Sequence, residues 1–259
     1  MNKQFCLAML AATLVLLTPM LVPDALSAKA RFERFGVQDG LSDNTITAVC
    51  RDSRGFMWFG TRNGLNRFDG HSYVCFKHDP NDSTSLSDNL IRIIFEDSHG
   101  DLWIGTANGG LNRYDADHDT FESHTHDPGN PRGLSHNTIQ SIAEGADGTI
   151  WVGTMNGLGA FDRTTRTFKN HFHDPSNPHT LNHSNVGSVY VDHSGAVWIG
   201  TNAGLNVMDP GTGIVRRLPD RNPATSGLNQ NIMCILEDRR GILWLSTWGG
   251  GLRTYDPIR

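Results

Sequence analysis

A tryptophan that returns at a near-constant interval constrains this chain more than any other feature. Trp58, Trp103, Trp151, Trp198 and Trp244 lie 45, 48, 47 and 46 residues apart. Each lies in a shared pattern: Asp52-Ser-Arg-Gly-Phe-Met-Trp58-Phe-Gly-Thr61, Asp97-Ser-His-Gly-Asp-Leu-Trp103-Ile-Gly-Thr106, Gly145-Ala-Asp-Gly-Thr-Ile-Trp151-Val-Gly-Thr154, Asp192-His-Ser-Gly-Ala-Val-Trp198-Ile-Gly-Thr201 and Asp238-Arg-Arg-Gly-Ile-Leu-Trp244-Leu-Ser-Thr247. A fixed period of this kind marks stacked supersecondary units, none of which can bury its apolar face alone.

The first repeat divides into four strand-like pieces. Ile46–Arg51 is β-branched and apolar, Asp52-Ser-Arg-Gly55 is a turn, and Phe56–Thr61 is a second strand. Arg62-Asn-Gly64 turns again, Leu65–Phe68 and Tyr73–Lys77 make the third and fourth strands, and a His78-Asp-Pro loop leads onward. We label the strands A to D. The B strands are apolar at consecutive positions, as in Leu102-Trp-Ile104, so both faces of each sheet should be covered. A β-propeller of four-stranded blades meets this demand, because each blade is sandwiched between two others. A β-solenoid is the competing repeat fold, but its coils are shorter and lack three hairpin turns per repeat. The expected fold is therefore all-β, a β-propeller with five repeats, as a closed five-bladed ring or an arc of a larger propeller. Closure has a candidate: Arg31–Val37 resembles a D strand and would complete the last blade beside Ile232–Tyr255, removing exposed edges.

Residues 1–30 read as a signal peptide and 31–259 as the propeller domain. Lys3 precedes an apolar run, Phe5–Leu17, followed by Pro19, Pro23 and the small residues Ala25, Ser27, Ala28 and Ala30. The run falls short of the ~20 residues a membrane span needs, which disfavours an uncleaved anchor. Export to the periplasm follows. The net charge of −5 and the lack of a basic run give no footprint for nucleic acid. Without the Cys6 of the leader, Cys50, Cys75 and Cys234 remain, at positions that do not correspond between repeats, and they read as small buried hydrophobes.

With Gly-Leu-Ser-x-Asn standing ahead of Asp-x-x-Gly-x-Leu-Trp-Ile-Gly-Thr, the repeat resembles the two-component regulator propeller repeat. The upstream element occurs as Gly40-Leu-Ser-Asp-Asn44, Ser85-Leu-Ser-Asp-Asn89, Gly133-Leu-Ser-His-Asn137, Leu181-Asn-His-Ser-Asn185 and Gly227-Leu-Asn-Gln-Asn231. The resemblance implies a periplasmic sensor of a receptor whose output is a histidine kinase, often a hybrid one, or a diguanylate cyclase, and a carbohydrate fragment as ligand. Relatives usually carry more repeats, a tyrosine-rich immunoglobulin-like domain, a membrane helix and the output domain. None follows Tyr255, so this chain is expected to be either a receptor portion without its output domain or a stand-alone binding protein. Membrane attachment would come only through a downstream segment. A homodimer is a further possibility. The enzyme alternative is a streptogramin-lyase-like propeller, and a third is an interaction scaffold.

No Gly-x-Ser-x-Gly elbow, metalloprotease helix or phosphate loop is present, so no catalytic residue, cofactor or metal site is expected. The Asp-x-x-Gly turns carry too few acids for calcium loops. Among the twelve histidines, His78, His126 and His173 each precede Asp-Pro and read as a repeated loop signature. The recurring tryptophans are read as core. Trp248 is different, standing alone in the turn Trp248-Gly-Gly-Gly, where an indole would be exposed and free to stack on a ligand. With Arg62, Asn108, Asn156 and Asn202 of the other B–C turns it forms the expected ligand-binding set. These turns should share a face with the D–A connections that carry Asn44, Asn89, Asn137, Asn185 and Asn231.

Overall fold

Short apolar runs punctuated by Asp-x-x-Gly turns fold as antiparallel hairpins. The structure, a computed structural model, describes residues 32–218 and 231–257. The first sheet comprises β1 (Ile46–Arg51), β2 (Met57–Thr61), β3 (Gly64–Phe68) and β4 (Tyr73–Phe76). The second comprises β5 (Ile91–Glu96), β6 (Leu102–Thr106), β7 (Leu111–Asp115) and β8 (Thr120–His124). The third comprises β9 (Ile139–Glu144), β10 (Ile150–Thr154), β11 (Gly157–Asp162) and β12 (Thr167–His171), and the fourth β13 (Val186–Val191), β14 (Val197–Thr201), β15 (Gly204–Met208) and β16 (Val215–Arg217). The fifth has three strands, β17 (Ile232–Glu237), β18 (Leu243–Thr247) and β19 (Gly251–Tyr255). In every sheet the spatial order follows the chain order, so each is an antiparallel meander. The residues from Phe35 onward form one contact unit.

Successive sheets stack in order, with each A strand beside the next: β1 by β5, β5 by β9, β9 by β13 and β13 by β17. Four apolar clusters fill the four junctions. Trp58 of the first sheet packs with Ile94, Leu102, Ile104, Tyr114 and Phe121 of the second, and the same arrangement recurs around Trp103, Trp151 and Trp198. These are propeller blades, as the doubly apolar B strands require. The glycine of Trp-x-Gly-Thr is dictated by this stacking. A Cβ at Gly105 would stand 2.6 Å from Ile139 Cγ2 of the next blade, and one at Gly60 would stand 2.6 Å from Ile91 Cγ2. The fifth repeat has Ser246 at this position, where no further sheet packs among the described residues.

Two expectations are corrected. Arg31–Val37 does not supply a fourth strand to the last blade: Phe32–Gly36 carry no strand, Val37–Asp39 is a 3-10 turn, and Arg31 lies outside the described residues. The physical reason is local. The Gly36 N–H donates to Asp39 Oδ2 at 2.8 Å and the Val37 N–H to Asn44 Oδ1 at 3.1 Å, so donors a strand would need are spent at the entry to the first blade. Phe35 lies against Phe68 there, ring centroids 6.0 Å apart. Among the described residues the five blades form an arc whose first and last sheets each keep one face uncovered, exposing Val49 on one and Leu236 and Leu252 on the other. The cysteines are the second correction. Cys75 and Cys234 are exposed and Cys50 is half-buried, all three as free thiols, because they fall on these two end sheets. Trp244 is likewise only half-buried, whereas Trp58, Trp103, Trp151 and Trp198 are buried. The expected leader lies outside the described residues. No helix among the described residues is long and apolar enough to cross a membrane.

Candidate functional site

The B–C turns and D–A connections do emerge together. Each B–C turn is held by backbone bonds to entry loops: the Gly64 N–H donates to Asn89 O at 2.8 Å, the Gly110 N–H to Asn137 O at 2.9 Å, the Asn202 N–H to Asn185 O at 3.3 Å and the Trp248 N–H to Asn231 O at 2.9 Å. Loops tied to a rigid sheet in this way can present side chains in fixed positions. Arg62, Asn108, Asn156, Asn202 and Trp248 occupy corresponding turns and are all exposed, Trp248 at 71%. Asn108 Nδ2 and its backbone N–H donate to Asp88 Oδ2, which orients that turn toward the D–A loop.

Asparagines of the D–A loops divide between jobs. Asn89 Oδ1 accepts from the His78 N–H at 2.8 Å and Asn137 Oδ1 from the His126 N–H at 2.6 Å, which is backbone pinning. His78, His126 and His173 each place Nδ1 2.6–2.7 Å from the carbonyl of the leucine at the same place in each repeat, Leu86, Leu134 or Leu181, so the His-Asp-Pro signature is a loop clasp. Sequence reasoning missed three fully buried asparagines beneath this face: Asn66, Asn112 and Asn206. Asn66 Oδ1 accepts the Ser42 N–H at 2.9 Å and its Nδ2 donates to Ser42 Oγ at 2.8 Å, and Asn112 treats Ser87 alike. The available signal was Leu-Asn recurring at Leu65, Leu111 and Leu205.

The opposite edge, formed by A–B and C–D turns, carries most of the charge. In four blades the turn aspartate accepts the indole N–H of its own tryptophan: Asp52 from Trp58 at 2.9 Å, Asp97 from Trp103 at 2.6 Å, Asp192 from Trp198 at 2.7 Å and Asp238 from Trp244 at 3.2 Å. Asp97 is buried, which pushes its carboxyl up, but bonds from Trp103, Arg163 and the His99 N–H outweigh burial and hold it below the usual carboxylate range. Asp97, His99 and Glu144 bring ligand atoms within 4.8 Å of one another. The Arg163 guanidinium contacts Asp97 and Asp101, however, and Ser98 occupies both Glu144 oxygens, so the cluster is an ion-pair network rather than a cation cage. A second network joins Arg67, Tyr114 and Asp119. Burial, then the Asp119 carboxylate, push the Tyr114 hydroxyl up to about 12.

Four clefts open on this charged side, at Trp151 and Asp209, at His193 and Arg239, at Lys169 and His171, and at Arg113 and Arg166. None of these four is lined by Arg62, Asn108, Asn156, Asn202 or Trp248.

Fold and surface together define a repeat protein of the β-propeller class with its polar loops collected at two edges. Residues 40–63, 85–108, 133–156, 180–203 and 226–249 each match the two component regulator propeller, and the chain belongs to that family. Over 66 residues it is 42% identical to histidine kinase P4 of Formosa agariphila, a match that takes in 24% of this chain and 5% of the kinase. Its fold is similar to an extracellular domain assigned to a hybrid two component system of B. thetaiotaomicron, with a TM-score of 0.74, 24% identity, and coverage of 87% of this chain and 30% of that one. A domain assigned to a one component system of the same organism gives a TM-score of 0.69 and 25% identity over 89% of this chain and 32% of that one. The chain thus spans about a third of those structures. Virginiamycin B lyase from Staphylococcus aureus shares the fold at a TM-score of 0.57 and 14% identity, over 82% of this chain and 70% of the lyase. That likeness is one of fold.

Proposed function

We propose that this propeller is the ligand-sensing part of a two-component-type receptor, working in the periplasm and not itself an enzyme. The observation that carries the reading is the family repeat, present five times across residues 40–249, in company with relatives that are extracellular domains of signalling systems. The expected ligand is a small polar molecule, a carbohydrate fragment first, held on the B–C face by Arg62, Asn108, Asn156, Asn202 and Trp248. An indole left 71% exposed in a glycine turn is a stacking surface in waiting, and aromatic anchors of this kind dominate recognition energy.

The test is calorimetric titration of the purified protein with a panel of oligosaccharides. A binder should lose about tenfold or more in affinity with Trp248→Ala, while the melting curve stays in place. An affinity indifferent to Trp248→Ala, or a panel with no binder, would count against this face and this ligand class.

A further inference from the structure

The third blade departs from the other four at one turn residue. Where they carry the turn aspartate, it has Gly145, so the Trp151 indole loses the acceptor that Trp58, Trp103, Trp198 and Trp244 all have. Trp151 is nonetheless 4% exposed, and its Nε1 lies beside Gly145, where the other four turns carry the aspartate. The same junction lacks a second element. In three others, a glutamate at the end of the next A strand reaches back to the A–B turn: Glu96 to Ser53, Glu144 to Ser98 and Glu237 to His193. At this one the corresponding residue is Val191.

Beside Gly145 a cleft of about 390 Å³ opens between the third and fourth blades, within the size range of small-ligand pockets. Gly145, Ala146, Asp147, Trp151, Asp209 and Pro210 are among its walls. A Cβ at Gly145 would lie 3.1 Å from Trp151 Nε1 and 2.8 Å from Asp147 Oδ1, so the indole N–H aims at the position of the absent side chain. Asp147 and Asp209 each use Oδ1 in their own turn, accepting the Thr149 N–H at 3.1 Å and the Gly211 N–H at 2.9 Å.

We propose that this cleft is a binding site for a neutral polyhydroxylated ligand of about monosaccharide size, one hydroxyl of which takes the place of the missing aspartate carboxylate. The chemistry narrows the class. The ligand must accept from Trp151 Nε1–H and donate to the carboxylates of Asp147 and Asp209. A hydroxyl does both. A carboxylate cannot donate and is repelled by two aspartates, and an ammonium cannot accept. A ligand hydroxyl that accepts from this N–H takes the place of water in the cleft and supplies the acceptor that the four intact blades obtain internally. The site lies on the A–B side and does not depend on the B–C face.

Proton–nitrogen correlation spectra of the indole N–H groups test it, with glucose, xylose and inositol as probes and acetate and ethylammonium as controls. At least one polyol should shift the Trp151 resonance saturably, with a Kd of about 1 mM or tighter. The double substitution Gly145→Asp and Asp147→Ser recreates the Asp-x-Ser-Gly pattern of the fourth blade's turn, Asp192-His-Ser-Gly195, and should weaken that binding about tenfold or more without lowering the melting temperature. Trp248→Ala should leave it unchanged, which separates this site from the B–C face. A Trp151 resonance that no polyol moves, equal shifts with acetate or ethylammonium, or unaltered binding in the restored turn would each overturn the proposal.

Discussion

Glu144 of the third blade grips Ser98 of the second. Its carboxylate accepts the Ser98 N–H and the Ser98 hydroxyl, both at 2.7 Å, so the A strand of one blade is fastened to the A–B turn of the one before. Glu144 is only 13% exposed at its side chain, and charge-assisted bonds in such a setting exceed those of an open surface pair. A double-mutant cycle of Glu144→Ala and Ser98→Ala should give a coupling energy of about 1 kcal/mol in denaturant unfolding. A coupling indistinguishable from zero would show the clasp to be incidental.

Trp103 and Asp97 should act as one unit. Trp103→Ala removes a fully buried indole, and the expected loss is about 3–5 kcal/mol, read as a fall in the denaturation midpoint. Asp97→Asn tests the charge. Because the folded protein holds this carboxyl below its ordinary value of about 3.9, its contribution is complete above that pH and disappears as pH falls through the lower folded-state value. The variant should therefore be the less stable at neutral pH and lose less stability than the parent on acidification below about pH 4. Parallel acid profiles would refute the assignment.

Glycine at the end of the B strand is required only where another blade follows. Gly105→Ala drives a methyl into Ile139 and should cost roughly 1–3 kcal/mol by overpacking. Ser246→Ala, at the same position in the last repeat, should change stability by no more than about 0.5 kcal/mol. Similar losses at the two positions would mean that the fifth blade is packed as the others are.

Export can be checked directly. The apolar run Phe5–Leu17 and the small residues after it lead to the expectation that the mature chain begins at Lys29 or Arg31. Mass spectrometry of periplasmic protein should give one of these termini. Intact Met1 would point to a retained anchor instead.

The repeat carried most of the fold in plain view. The tryptophan period, the glycine turns and the doubly apolar B strands determine the strand order and the blade, because each is a local demand that only stacked four-stranded sheets satisfy. Trp58 and Trp103 are buried for that reason. What the sequence could not decide is what lies across a junction, since that depends on residues about a full repeat away. Cys75 and Cys234 look like core by their apolar neighbours, yet they sit on end sheets that keep one face uncovered among the described residues. The stretch before Val37 looks like a strand, yet Asp39 and Asn44 capture its backbone donors. Gly145 reads in one dimension as one more turn residue. Only in the stacked sheets does it set the Trp151 indole beside a cleft in place of a turn carboxylate, because Gly145 and the Val191 that stands where three other junctions have a glutamate come from different blades.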